Sequence, residues 1–258
     1  MAHGFTIPDD EDRTRSTIVI DLSNLTKRFG DTLAVDDLNL IIGRGEFFSM
    51  LGQNGAGKTT TLKLVAGLLR PTSGTILVAG YDMATNVLDA KKIISFVPDI
   101  PYVYEKLTGR EFLYFIGELY NLDKVVYRDE AEHLLGLFHM QEYGNQLMES
   151  YSHGMKQKVV LCSALLHDPQ VIIIDEPMVG LDPKSIRLVK DILRERADEG
   201  ATIFMSTHTL NLAEEVSDRI GIIHRGQLVG LGTVDEINSK AEGAEEFEDV
   251  FLKITAET

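Results

Sequence analysis

The segment Gly52-Gln53-Asn54-Gly55-Ala56-Gly57-Lys58-Thr59 constrains this chain more than any other, because it fits the P-loop pattern of Gly, four residues and Gly-Lys-Ser/Thr. A chance match in a chain of this size has odds on the order of one per cent. Its context sharpens the reading: the apolar run 47–51 leads straight into the loop, and residues 60–69 continue with helical periodicity. Glycines let a backbone wrap a phosphate and present N–H donors to it, and the helix that follows adds its positive end at the same place. Lys58 supplies a full charge for β- and γ-phosphates, and the Thr59 hydroxyl suits Mg²⁺. The expected nucleotide cradle is therefore Gly52, Gln53, Asn54, Gly55, Ala56, Gly57, Lys58, Thr59 and Thr60. The competing reading is a glycine-rich strand-to-helix turn.

Short aliphatic or β-branched runs recur at 17–22, 46–51, 75–78, 93–97, 171–174, 201–206 and 220–224. Several precede helical patterns, as expected of an α/β fold with a mostly parallel sheet flanked by helices. The run 171–174 is apolar at successive positions, which suits a strand buried on both faces. Between about 101 and 167 the pattern changes to amphipathic helices, at 111–120 and 127–139. Thr108 with Glu111 three residues on reads as a capping box opening the first of them. This predicts a helical segment inserted in one α/β unit spanning 17–237.

Residues 1–16, with Asp9-Asp10-Glu11-Asp12, read as a flexible acidic tail with no secretory signal. Residues 238–258 read as a second acidic tail with a short amphipathic helix. There Phe247, Val250, Phe251 and Ile254 share one helical face, for packing on the same domain or for a partner.

The apolar run 171–174 ends in Asp175, and Glu176 follows at once. In P-loop enzymes an Asp at this position helps hold Mg²⁺. Glu176, one residue beyond, is placed to orient and polarise an attacking water. Taken alone, the pair would be an ordinary loop start; beside a P-loop it predicts a hydrolytic centre. His208, just past the run 201–206, is either a solvated or hydrogen-bonded structural histidine or a contact to the γ-phosphate.

Composition narrows the setting. The longest aliphatic runs span a few residues, far below the roughly 18 to 20 that a membrane-spanning helix requires. Any work at a membrane therefore needs a second chain to cross it. Cys162 is the only cysteine, which excludes an internal disulfide and fits a reducing compartment. A net charge of −15 argues against broad binding to nucleic acid, which needs a basic surface.

With these motifs in place, the chain resembles the ATP-binding subunits of ABC transporters over nearly all of residues 18–237. The discriminating segment is Tyr151-Ser152-His153-Gly154-Met155-Lys156-Gln157, which resembles the family signature Leu-Ser-Gly-Gly-Gln. The resemblance implies a P-loop NTPase fold with an antiparallel β subdomain and an inserted helical subdomain. It implies ATP and Mg²⁺ as ligands, and Ser152 and Gly154 reaching the γ-phosphate held on a second ATPase subunit. Gly180-Leu181-Asp182 is similar to the family's D-loop, and Phe29 to the aromatic that stacks on adenine; without the resemblance Phe29 reads as a core aromatic.

Three positions depart from the pattern. His153 and Met155 replace a glycine and the glutamine of the signature, and Asp99 stands where the family's Q-loop has Gln. Asp99 remains able to ligate Mg²⁺ or hold a water. Such substituted signatures resemble those of single-domain ATPases serving drug, antibiotic or polymer exporters. The implied setting is the cytoplasmic face of the membrane, against a separate permease that sits near the Asp99 loop and Pro101-Tyr102-Val103-Tyr104. Two other readings remain open at this stage: a soluble ABC ATPase acting on DNA or ribosomes, and a nucleotide-gated regulatory module with little turnover.

Overall fold

The computed structural model describes residues 18–239 and Phe251. The chain opens with an antiparallel hairpin of β1 (Ile18–Phe29) and β2 (Thr32–Gly43), then runs through β3 (Phe47–Leu51) into α1 (Lys58–Val65). After β4 (Ser73–Val78), β5 (Tyr81–Asp82), α2 (Val87–Lys91) and β6 (Ile94–Val97) come the helices α3 (Gly109–Leu119), α4 (Lys124–Leu137) and α5 (His153–Leu165). The rest alternates: β7 (Val171–Asp175), α6 (Pro183–Asp198), β8 (Thr202–Thr207), α7 (Leu210–Val216), β9 (Arg219–His224), β10 (Gln227–Gly232) and α8 (Val234–Ser239).

Two sheets form. The first is antiparallel in the order β2-β1-β4-β5; the second has the order β10-β9-β3-β8-β7-β6 and is parallel except for the β9–β10 pair. Side chains of successive strand residues point to opposite faces, and the six-stranded sheet uses both. From β7, Ile172 and Ile174 join the helical side, packing with Phe112, Leu113 and Leu161, while Val171 and Ile173 join Ile20, Leu40 and Leu62 on the other. This double burial explains why the run 171–174 has no polar alternation.

The expected strands lie within a few residues of the observed ones, but β2, β5 and β10 were not expected, and β1 runs on to Phe29. The expected helix 127–139 begins three residues earlier, at Lys124, because the Asp123 side chain caps it by accepting from the Val125 and Val126 N–H groups. The capping box is present: the Thr108 hydroxyl accepts from the Glu111 N–H at 3.2 Å and Glu111 accepts from the Thr108 N–H at 2.8 Å. Residues 1–17, and with them the expected acidic tail, lie outside the described residues, as do Phe247, Val250 and Ile254. Phe251 is buried in a cluster with Leu51, Ile220, Ile222 and Ile237. Among the described residues no helix is long and apolar enough to cross a membrane.

A polar latch joins the helical segment to the sheet. Tyr120, just past α3, stacks on His167 with centroids 3.8 Å apart, and His167 Nε2–H donates to the Ile94 carbonyl at 3.3 Å. His167 Nδ1 is buried without a partner, so a proton there would be a buried, unpaired charge. Burial accordingly pushes the His167 pKa down to about 4. Between the ordinary value near 6.5 and that value the unfolded chain binds a proton that the folded chain refuses, so stability falls as pH falls through this window. The expected contribution is about 3 kcal/mol, fully lost below about pH 4. Denaturant titrations of wild type and His167→Phe across pH 7 to 4 check it: the wild type should lose more stability than the variant, and equal slopes would contradict the assignment.

Candidate functional site

The central strand β3 is buried along its whole length and ends at Leu51, from which residues 52–57 curl back before α1 begins at Lys58. The loop is held by its own backbone: Ala56 N–H donates to Gln53 O at 3.1 Å, and Gly226 N–H reaches across to Ala56 O at 2.8 Å. At Gly57, the residue that enters the helix, φ is +114° and a Cβ would lie 2.5 Å from the Ala34 carbonyl, so glycine is required there. Ala34 belongs to β2, so an element not visible in the sequence pattern forms one wall of the loop.

A cavity of about 220 Å³ opens at this loop, lined by Ala34, residues 53–55 and 57–60, Asp99 and Glu176. Cavities of about 290 and 410 Å³ lie elsewhere and contain none of the expected site residues, while one of about 360 Å³ is lined by Glu176 and His208.

Lys58 is buried, and its ammonium donates to Gly52 O at 2.6 Å and Gln53 O at 3.2 Å while lying 3.8 Å from Glu176 Oε1. Burial pushes its pKa below the ordinary lysine value; the carboxylates of Glu176 and Asp175 pull the other way. Glu176 Oε1 also accepts from His208 at 2.8 Å. Since a carboxylate only accepts, His208 Nδ1 carries the proton of that bond. One carboxylate thus faces both the loop lysine and the histidine that follows β8.

Glu176 is held at φ 49°, left-handed for a residue with a side chain. Backbone strain of this kind costs on the order of 1–3 kcal/mol and collects at functional sites. The Glu176 N–H is anchored by the Ser206 carbonyl at 3.2 Å.

Asp175 ends β7, buried to 1 % exposure. Its Oδ1 accepts from the Ser206 hydroxyl, and its Oδ2 is buried with no hydrogen-bond partner. An orphaned carboxylate oxygen beside a phosphate loop fits a hard divalent cation, which takes oxygen ligands and, when it is Mg²⁺, needs few of them from protein. Thr59 and Asp99, both on the cavity wall, also offer oxygen atoms, one a neutral hydroxyl and the other a carboxylate. Among the described residues no group of three or more His, Cys, Asp or Glu side chains is arranged to hold a metal ion.

Not every expected residue converges. Phe29, at the end of β1, is 47 % exposed, so it is not a core aromatic; the Lys27 ammonium lies 4.8 Å from its ring centroid. Ser152 and Gly154 do not line the cavity. The Ser152 hydroxyl caps α5 by accepting from Met155 N–H at 3.3 Å. Gly154 packs on the 180–182 loop, where a Cβ on it would meet the Gly180 carbonyl at 2.9 Å. Ser152 itself is exposed and stands outside the cavity at this chain's own phosphate loop. The residues missed by sequence reasoning are Ala34 and Ser206. Ser206 had one signal, a hydroxyl ending the apolar run 203–205.

The chain is similar to known proteins along most of its length. The model of the ABC transporter family matches residues 35–179. The chain is 34% identical to the bacitracin transport ATP-binding protein BcrA of Enterococcus faecalis, over 92% of this chain and 77% of that one. It is 36% identical to the SkfA peptide export ATP-binding protein SkfE of Bacillus subtilis, over 88% of this chain and 95% of that one. A solved structure of an ATP-binding subunit of an ABC transporter superposes with a TM-score of 0.86 at 32% identity, covering 92% of this chain and 99% of that chain.

The loop geometry makes two glycines unequal. At Gly55, with φ 81°, a Cβ would have nothing within 4 Å, whereas at Gly57 it would meet the Ala34 carbonyl. Gly55→Ala should cost about 1 kcal/mol, the backbone penalty alone, and Gly57→Ala clearly more. Thermal unfolding of both variants checks the order; equal losses would contradict it.

Proposed function

This chain belongs to the ABC transporter family of ATP-binding subunits, and from that premise we propose that it hydrolyses ATP to ADP and phosphate, with Mg²⁺, to drive export through a separate membrane permease. The observation that carries the reading is the meeting of Lys58 and Glu176 at one phosphate loop, with the buried Asp175 carboxylate, one oxygen unpartnered, in electrostatic reach of Lys58. Residues 17–237 act as one ATPase unit, and residues 101–167 act as its helical arm.

The roles follow from what each group can do. The N–H groups of residues 52–60 and the Lys58 charge cradle the β- and γ-phosphates, with Phe29 available to stack on adenine. Thr59 and Asp175, with Asp99 nearby, hold Mg²⁺, which when bound neutralises charge on the phosphate oxygens. Glu176 accepts the proton of the attacking water, and His208 holds the carboxylate in place through its Nδ1–H. Ser152 and Gly154 serve the site of a second ATPase subunit, so two chains related by a two-fold axis complete two sites. Closing that interface excludes bulk water, and loss of the γ-phosphate removes a ligand that joined the halves.

The partner contact is supported by the surface next to Asp99. Ile100, Tyr102 and Tyr104 are exposed, and Tyr104 packs edge-on against the exposed Phe115 with centroids 5.5 Å apart. Such exposed apolar and aromatic side chains suit a permease docked on the cytoplasmic face of the membrane. Export is supported by relatives whose names specify bacitracin transport and peptide export. A role on nucleic acid or as a non-hydrolysing module is not favoured: the same relatives are transport subunits, and Glu176 and His208 are in hydrogen-bond contact.

Two variants separate binding from turnover. Lys58→Ala should weaken nucleotide binding at least about tenfold, as expected for loss of a charge-assisted contact; an unchanged titration would contradict its phosphate role. Glu176→Gln should bind ATP, fail to hydrolyse it and accumulate as an ATP-stabilised dimer in light scattering. Turnover at the wild-type rate in Glu176→Gln would remove the assignment of that residue.

A further inference from the structure

Ser206 lies on β8, two residues before His208, and is fully buried. In the parallel register it stands opposite Asp175. Its hydroxyl donates to Asp175 Oδ1, and its carbonyl accepts the Glu176 N–H at 3.2 Å. One residue therefore touches both acids from the neighbouring strand. A carboxylate at the end of a strand can rotate about its side-chain bonds. The Ser206 bond removes that freedom by engaging one oxygen, and the other, Oδ2, is left buried and unpaired.

We propose that Ser206 is a positioning residue for the divalent cation: its hydroxyl fixes the Asp175 carboxylate so that Oδ2 is presented as a ligand. The proposal rests on the Mg²⁺·ATP reading given above. Groups that hold a metal's ligands in place rank close to the ligands in their effect on affinity, because a ligand that must be ordered at the moment of binding forfeits part of the binding energy. The Ser206 carbonyl survives substitution of the side chain, so the Glu176 anchor is kept when the hydroxyl is removed.

An ordinary buried serine supplies the control. Ser49, on β3, is also fully buried, and its hydroxyl accepts from the Ser217 hydroxyl at 2.6 Å without engaging either acid. Removing it costs a buried hydrogen bond of the same kind.

The test is binding of a fluorescent, non-hydrolysable ATP analogue, titrated in EDTA and again over a range of Mg²⁺, for wild type, Ser206→Ala, Ser206→Cys and Ser49→Ala. In Ser206→Ala the Mg²⁺ concentration giving half of the metal-dependent gain in affinity should rise about tenfold or more, with the EDTA affinity unchanged. Ser206→Cys, which keeps a weaker donor, should fall between it and wild type and serves if the alanine variant does not fold. Ser49→Ala should respond to Mg²⁺ as wild type does. A wild-type Mg²⁺ response in Ser206→Ala or in Ser206→Cys, or the same shift in Ser49→Ala, overturns the proposal. If wild-type protein binds the analogue with no Mg²⁺ dependence, the Mg²⁺ reading itself fails, and the role of Ser206 falls with it.

Discussion

The parallel register of β3, β8 and β7 is the constraint on which the site depends. Leu51 pairs with Thr207 and Asp175 with Ser206, so the three strands stop at one level. Each then releases a different piece of chemistry from the same edge: the phosphate loop from β3, the two acids from β7 and His208 from β8. Ligand sites in open α/β sheets form at such carboxyl ends because helices and loops diverge there while backbone geometry stays fixed beneath. Here the foundation is a sheet buried on both faces, whose close packing leaves little room for the strands to slide. The short reach from Lys58 to Glu176, and from Glu176 to His208, is a result of that register.

The same arrangement tolerates local cost. Glu176 sits in a left-handed backbone conformation and Lys58 is buried against its preferred charge state, yet each is held by partners that stand in more than one strand or loop. The unpaired Asp175 oxygen belongs with them. These three departures from a folding optimum meet at one edge of the sheet, the pattern expected where function and not stability sets the geometry.

How much of this was legible before the fold depends on range. The P-loop, the acid pair after residue 174 and the Thr108 capping box are contiguous or nearly so, and the sequence pattern carries them completely. Strand β2 was invisible because its alternation is broken by Asp36-Asp37, with Asp37 at φ 47° and the hairpin register shifting nearby. Strand β10 was masked by Gly230 and Gly232, which weaken any β pattern. Losing β2 meant losing Ala34, and with it the reason Gly57 admits no side chain. The pairings Ser206–Asp175 and His208–Glu176 span 31 and 32 residues and follow from strand order, which periodicity does not encode. Phe29 was open between core and ligand contact until its exposure at the hairpin end was seen. Ser152 and Gly154 were legible as a resemblance only: within one chain they do not line the phosphate cavity, as expected if they complete a site on another subunit.

In the proposed mechanism one chain carries half of each hydrolytic site. Its most direct test is the rate of Mg²⁺-dependent ATP hydrolysis by purified protein as a function of protein concentration. A shared site gives a rate that rises more steeply than linearly at low concentration and becomes linear once dimers dominate, and that disappears when Mg²⁺ is chelated. A specific activity that is constant from the lowest concentrations upward, under conditions where light scattering reports monomers, would contradict it.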